Sequence, residues 1–337
     1  MWRYGGRWSR TLTLSGLCVS LAGPALAGEP APAFVKEWGS QGSGPGQFIQ
    51  PIGIACTSSG DVYVADTGNE RVQRFTSEGV FVQEWGERCA VSGEPPCTLD
   101  PDGDGPLEVG DGLFAEPAGL VWAPNGNLLV GEFQNFRVQE FTPEGVFVGK
   151  MGGLGVLSSV LHIAADSAGR VFVTYKVDAG IRVMEGGVVT ATWIAPGGNA
   201  AGMALDSQGH LYVANSQLDV VHVFDSHGTI VGTLGQPGIG EGQFDTPVFL
   251  AVDGADNLYV GDHDNHRIQK FSASGEFLTQ WGSEGTGPGQ FAQISGVCVD
   301  GSGNVYVLDW SLNRVQKFAP PVPVERVTWG RVKAGRE

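Results

Sequence analysis

Positive charge is scarce in this chain. Its 337 residues include 20 Lys and Arg against 36 Asp and Glu, a formal charge of −16. Such a surface repels phosphate backbones, which disfavours generic nucleic-acid binding. No basic run interleaved with aromatics offsets it. Cysteine is also scarce, five residues in all, and their spacing does not build a RING-type zinc module. No apolar run reaches the roughly 20 residues that a spanning helix needs, so no membrane span is expected in the mature chain. No G-x-S-x-G elbow leads into a helix, and the glycine-rich stretches lack the Lys-Ser/Thr ending of a phosphate loop.

What is abundant is glycine, with 53 residues, while charged residues make up only 17%. That balance suits many short strands joined by tight turns. The first 27 residues stand apart. Arg3, Arg7 and Arg10 precede the small-residue apolar run "TLTLSGLCVSLAGPALA", and Ala25 and Ala27 suit a signal-peptidase cut before Gly28. This predicts a Sec-type signal peptide over 1–27 and a secreted or periplasmic protein. Leu17, where a small residue is expected, argues against lipidation of Cys18. Removing the segment leaves 17 basic and 36 acidic residues, or −19. Four cysteines remain in a disulfide-permissive compartment. Cys89 and Cys97 share one short polar segment, and a bond between them is expected to contribute about 2.5 kcal/mol.

One segment recurs along the chain. "VYVADTGNERVQRF" begins at Val62, "LLVGEFQNFRVQEF" at Leu128 and "VFVTYKVDAGIRVM" at Val171. "LYVANSQLDVVHVF" begins at Leu211, "LYVGDHDNHRIQKF" at Leu258 and "VYVLDWSLNRVQKF" at Val305. The starts lie 66, 43, 40, 47 and 47 residues apart, and alternating apolar residues at periods near 40–47 mark four-stranded propeller blades. In each unit an apolar strand a leads through a Gly or Asp/Asn turn to strand b. A polar turn leads to strand c, a second turn to strand d, and a glycine-rich crossing such as "GSGPGQF" (42–48) to the next blade.

These copies resemble the NHL-repeat six-bladed β-propeller family, in its exported bacterial form. The match is close in copies 1, 5 and 6, carries Glu132 in place of Asp in copy 2, and is degenerate in copies 3 and 4. The resemblance implies an all-β fold of six four-stranded antiparallel blades, and it leaves function open. The expected organisation is a linker over 28–33, a propeller over 34–319 with an insertion at 87–112, and a tail over 320–337. "FVKEWG" (34–39) resembles the strand d "FVQEWG" (81–86) yet precedes the first strand a, so the N-terminal strand is expected to close the last blade. "VERVTWG" (324–330) competes for that edge. Alignment of the strand-a segments places Cys56 and Cys298 in ring-neighbouring blades, either both in the shared interface or both outside it. A closing disulfide there is left open.

The repeat also sorts the run "DHDNH" (262–266), which has the look of a metal site. Asp262 corresponds to Asp66 and Asp309, Asn265 to Asn69 and Asn135, and Arg267 to Arg71, Arg137 and Arg314. Shared letters of this kind cap strand-end turns. Only His263, Asp264 and His266 are peculiar to copy 5, in its b–c turn. Antiparallel strands put b–c turns and d–a crossings on one face of the disc. Phe133, Phe136, Tyr175, His263, His266 and Trp310 escape the shared pattern there. They are candidates for contact with a ligand, with cover of neighbouring loops as the alternative.

Two metal readings can be weighed. In the insertion, Asp100, Asp102, Asp104, Glu108 and Asp111 fall at positions 1, 3, 5, 9 and 12 of a calcium-type loop, with Gly105 at position 6. The same stretch aligns with the glycine-rich crossings, where Asp and Gly only form turns. Peptidyl-amidoglycolate lyases, which resemble this repeat, bind zinc at the central channel through histidines from several blades. Here the strand-a entrances supply only His162, so that site cannot be assembled. The reading is an exported, non-catalytic scaffold that binds a protein, peptide or glycan through the b–c/d–a face. The alternative is a metal-dependent lyase or hydrolase at the channel mouth.

Overall fold

In the computed structural model, which describes residues 28–88, 110–153, 155–175 and 180–321, the repeat folds into six four-stranded antiparallel sheets. Blade 1 consists of Ile54–Cys56, Val62–Asp66, Arg71–Phe75 and Phe81–Trp85, as strands a to d. Blade 2 consists of Pro117–Trp122, Leu128–Glu132, Arg137–Phe141 and Phe147–Gly152. Blade 3 runs Val160–Ala165, Val171–Tyr175, Gly180–Glu185 and Val188–Ile194, and blade 4 runs Ala200–Leu205, Leu211–Asn215, Val220–Phe224 and Ile230–Leu234. Blade 5 is Pro247–Val252, Leu258–Asp262, Arg267–Phe271 and Phe277–Trp281. Blade 6 takes strands a to c from Ile294–Val299, Val305–Asp309 and Arg314–Ala319. Its strand d is the N-terminal Ala33–Trp38, paired antiparallel from Ala33↔Ala319 to Trp38↔Val315. Each strand a touches that of the next blade, including blade 6 against blade 1, so the ring is closed. Among the described residues no helix is long and apolar enough to cross a membrane.

The strands differ in sequence because they differ in burial. Strands b of blades 1, 2, 4, 5 and 6 are buried along their whole length, which demands near-continuous apolar runs. Strands d alternate, as in Phe81–Trp85, and leave Val82, Val148 and Val231 exposed on the outer edge. The apolar interior is divided rather than single. Six clusters each span two neighbouring blades, from blades 1 and 2 around to blades 6 and 1. Four of the six crossings drop one ring into such a cluster: Phe48, Phe114, Phe244 and Phe291 are fully buried.

A repeated close approach locks blade to blade. Trp38, at the end of the closing strand, lies over Gly79 in the c–d turn of blade 1. A Cβ there would fall 2.6 Å from the indole, and φ is +69°. Only glycine satisfies both constraints. Trp85 repeats the arrangement over Gly145. Closure is reinforced by Arg314, whose Nη1 donates to Glu37 on the N-terminal strand at 2.6 Å, and by Lys317, which donates to Ser77 O and Glu78 in blade 1. Cys56 and Cys298 are free thiols in the cluster between blades 6 and 1. Both point into the shared interface, and burial followed by the contact with Cys56 pushes the Cys298 thiol up.

Candidate functional site

Most of the run 262–266 serves the joint between a b–c turn and the crossing before it. The fully buried Asp262 accepts from Arg267 Nε at 2.7 Å, Asn265 Nδ2, Gln269 Nε2 and the Asp245 amide. Arg267 donates onward to the Ile239, Gly240 and Gln243 carbonyls of the crossing. Asp66 and Arg71 build the same network in blade 1, with Asn69, Gln73 and the Ile49 amide. In blade 2 the longer Glu132 takes the role, bonded to Arg137, Asn135, Gln139 and the Ala115 amide. Burial pushes both Asp262 and Glu132 up, opposed by these donors. Blade 6 departs from the scheme. Asp309 accepts from the Ala292, Gln293 and Leu312 amides, while Arg314 turns to Glu37 and the crossing carbonyls.

A second recurring contact was not read from the sequence. The residue just before the arginine position has positive φ at Glu70, Phe136, Asp219, His266 and Asn313, between 52° and 57°. Three of these side chains reach the next blade and accept from an amide at its strand-a entrance. Glu70 takes the Glu116 amide, Asp219 the Thr246 amide and Asn313 the Gln50 amide. The receiving residues also have positive φ, so each clamp holds a strained corner. The clue in the sequence was a polar acceptor one place before the arginine position. Its identity varies too much to stand out.

Phe136 and His266 occupy clamp positions without being clamps. Phe136 packs on the apolar cluster between blades 2 and 3, and His266 Nδ1 is buried with no partner among the described residues. Phe133 is half-buried in the same turn as Phe136. Tyr175 ends strand b of blade 3, where it pairs with Val160.

Two of the sequence candidates do converge. His263 and Trp310, from the b–c turns of blades 5 and 6, line a cavity of about 120 Å³ at the mouth of the central channel. Its walls are Ile52, Leu161, Val248, Phe249 and Ile294, with Gln293 and Ser295 as polar members. His162 completes it, 7% exposed and in edge-to-face contact with Phe249 at 5.2 Å. Its Nε2 has no hydrogen-bond partner among the described residues. Burial pushes the His162 imidazole down to about 4, so it is neutral at physiological pH. The His263 Nδ1–H donates to Asp264 Oδ1 at 2.8 Å, and Thr246 Oγ1 donates to the same carboxylate group at 2.7 Å. That pair turns the other ring nitrogen of His263 into the acceptor. The bond to His263 holds Asp264 below the usual carboxylate range. Asp219 stands nearby and is pushed up, first by burial and then by Asp245, Asp262 and Asp264. A second cavity of about 60 Å³ adjoins it along the strand-a segments, lined by Gly53, Gly119, Gly202 and Gly296. Phe249, Gln293 and Ser295 carry no mark in the sequence, because apolar and small polar residues are ordinary at a strand-a entrance.

The acidic insertion is only partly in view. Asp111 sits 3.3 Å from Lys150 Nζ and 4.0 Å from Arg137 Nη1, so a calcium loop would have to draw this carboxylate from two cations. Asp100, Asp102, Asp104 and Glu108 lie outside the described residues, as do Cys89, Cys97, the expected signal peptide and residues 322–337. No group of three or more His, Cys, Asp or Glu converges as a metal site among the described residues.

Comparison with known proteins agrees with the repeat and the ring. Residues 48–75 match the NHL repeat, and residues 249–319 match a 6-bladed beta-propeller family. The human E3 ubiquitin-protein ligase TRIM32 is 49% identical over 51 residues, which is 15% of this chain and 8% of the ligase. The Drosophila melanogaster protein brain tumor is 29% identical over 138 residues, 41% of this chain and 12% of that protein. The chain thus covers only a small part of these relatives. Virginiamycin B lyase from Staphylococcus aureus superposes with a TM-score of 0.55 at 15% identity, covering 84% of this chain and 98% of the lyase. Identity that low carries the fold alone. The chain is a six-bladed β-propeller carrying NHL repeats.

Proposed function

We propose that this protein is an exported, non-catalytic scaffold that binds a protein or peptide through the face bearing its b–c turns and d–a crossings. One observation carries the reading. The channel, walled by glycine and apolar side chains, opens on that face into a cavity flanked by Trp310 and His263. A concave apolar pocket with a few placed polar groups is the usual form of a binding site, and aromatic residues at its rim are the usual anchors. The acidity of the chain favours a basic partner.

The test is a titration of peptides selected from a random library on the immobilised protein. Joint replacement of Trp310 and His263 by alanine is expected to weaken binding by roughly tenfold or more. Asn125→Ala with His227→Ala, in turns of the opposite face, is expected to leave it unchanged. The reverse pattern would move the site to the other face. A second reading, a lyase or hydrolase at the same mouth, draws on the hydrogen-bonded pair His263–Asp264, which has the form of an oriented acid–base group.

A further inference from the structure

We propose that Cys56 and Cys298 are a redox-active pair whose disulfide staples the last blade of the ring to the first. The topology gives such a bond a purpose. Blade 6 takes strands a to c from the C-terminal end of the ring and strand d from the N-terminal end. The ring is therefore shut by the pairing of Ala33–Trp38 with Arg314–Ala319 and by contacts across the joint to blade 1. A link between the strands a of blades 6 and 1 bypasses that pairing and closes the ring covalently. Under the export reading the pair also meets an oxidising compartment.

The two strands are pinned together on either side of the cysteines. On one side Ser295 Oγ donates to Pro51 O at 2.8 Å. On the other the Gly301 amide donates to Ser58 O at 3.1 Å. Between these pins the backbones run close, since a Cβ on Gly296 would lie 2.7 Å from Ile54 Cγ2 and 3.2 Å from the Ile52 carbonyl oxygen. Cys56 and Cys298 fall inside the pinned stretch and share one apolar cluster, where the Cys298 thiol donates a hydrogen bond to that of Cys56. Sulfurs already in contact need little backbone movement to reach bonding geometry. Access is unequal: Cys298 is 8% exposed and Cys56 is half-buried, so oxidation begins at Cys56. Its thiolate attacks a small disulfide such as oxidised glutathione and releases one glutathione. Cys298 then gives up its proton and attacks Cys56 Sγ in the mixed disulfide, releasing the second. Two S–H bonds are lost from the protein and one S–S bond forms, while the oxidant takes up two electrons and two protons.

Folded, unaltered protein treated with oxidised glutathione, beside a sample kept in dithiothreitol, tests the pairing. Trypsin, cutting after Lys36, Arg71, Lys270 and Arg314, releases peptides 37–71 and 271–314 with one cysteine each. Mass spectrometry without reductant is expected to find the two joined in the oxidised sample alone. The thermal midpoint of that sample should lie roughly 5–10 °C above the reduced one, as for a bond that closes a loop of most of the chain. Cys298→Ala should lose most of that rise, which separates it from any bond between Cys89 and Cys97. Absence of the joined peptide, its formation only in urea, or a lasting glutathione adduct on Cys56 would overturn the pairing. A joined peptide that leaves the midpoint unchanged would overturn the staple. The mass readout needs neither a variant nor a ligand, so its outcome is independent of the binding-scaffold reading.

Discussion

In blade 5 the joint between the b–c turn and the preceding crossing is ionic, and in blade 4 it is neutral. Asp262 and Arg267 form a pair at 2.7 Å whose side chains are 0% and 9% exposed, with Gln269 and Asn265 filling the remaining sites. Blade 4 has Val220 at the arginine position and His222 at the glutamine position. There Asn215 alone donates from Nδ2 to the Pro196 and Gly198 carbonyls and accepts the Gln217 and Leu218 amides. One amide side chain carries both donors and acceptors, so it closes the joint without a charge to desolvate. What reads as a degenerate repeat is the same joint made with neutral chemistry.

The two joints should fail differently. Asp262→Ala strands Arg267 among carbonyls and is expected to cost about 3–5 kcal/mol, the usual penalty for breaking a buried pair. Asn215→Ala removes neutral hydrogen bonds and should cost about 1–3 kcal/mol. Urea unfolding of both variants beside the parent measures the difference. Equal losses would mean that the ionic character of the blade 5 joint adds nothing to the neutral design.

Much of this architecture was legible because it is repeated. Asp66, Asn69, Arg71 and Gln73 recur at fixed spacing, and the likeness of residues 34–39 to 81–86 marks the N-terminal strand as part of the ring. The clamps were not legible, since glutamate, aspartate and asparagine are interchangeable as acceptors for one amide. The cavity was hidden for another reason. Ile52, Leu161, Val248 and Ile294 are ordinary apolar residues on four different blades, and only closure of the ring brings them to one mouth. His263 and Trp310 were visible as departures from the pattern. Phe136 was equally visible, yet it fills an interface between blades. Departure from a repeat therefore marks a position without saying whether solvent or a neighbour receives it.

The contrast between charged and neutral chemistry extends to the clamps and has a smaller, pH-dependent signature. Glu70 accepts from the Glu116 amide, and Asn313 does the same for Gln50. Only the carboxyl titrates. Burial pushes Glu70 from an ordinary 4.5 to about 7, against the opposing bond from Glu116. A carboxyl whose pKa is higher folded than unfolded holds more protons in the folded state between those two values. Stability from this group is therefore greatest at low pH and declines as pH rises from about 4.5 to 7. Glu70→Gln keeps an acceptor for the amide and removes the titration. In urea unfolding across that window the variant should lose less stability than the parent, and the two curves should run parallel above it. Curves parallel throughout would place the Glu70 carboxyl in water, and the clamp between blades 1 and 2 would then be no different in kind from the asparagine clamp between blades 6 and 1.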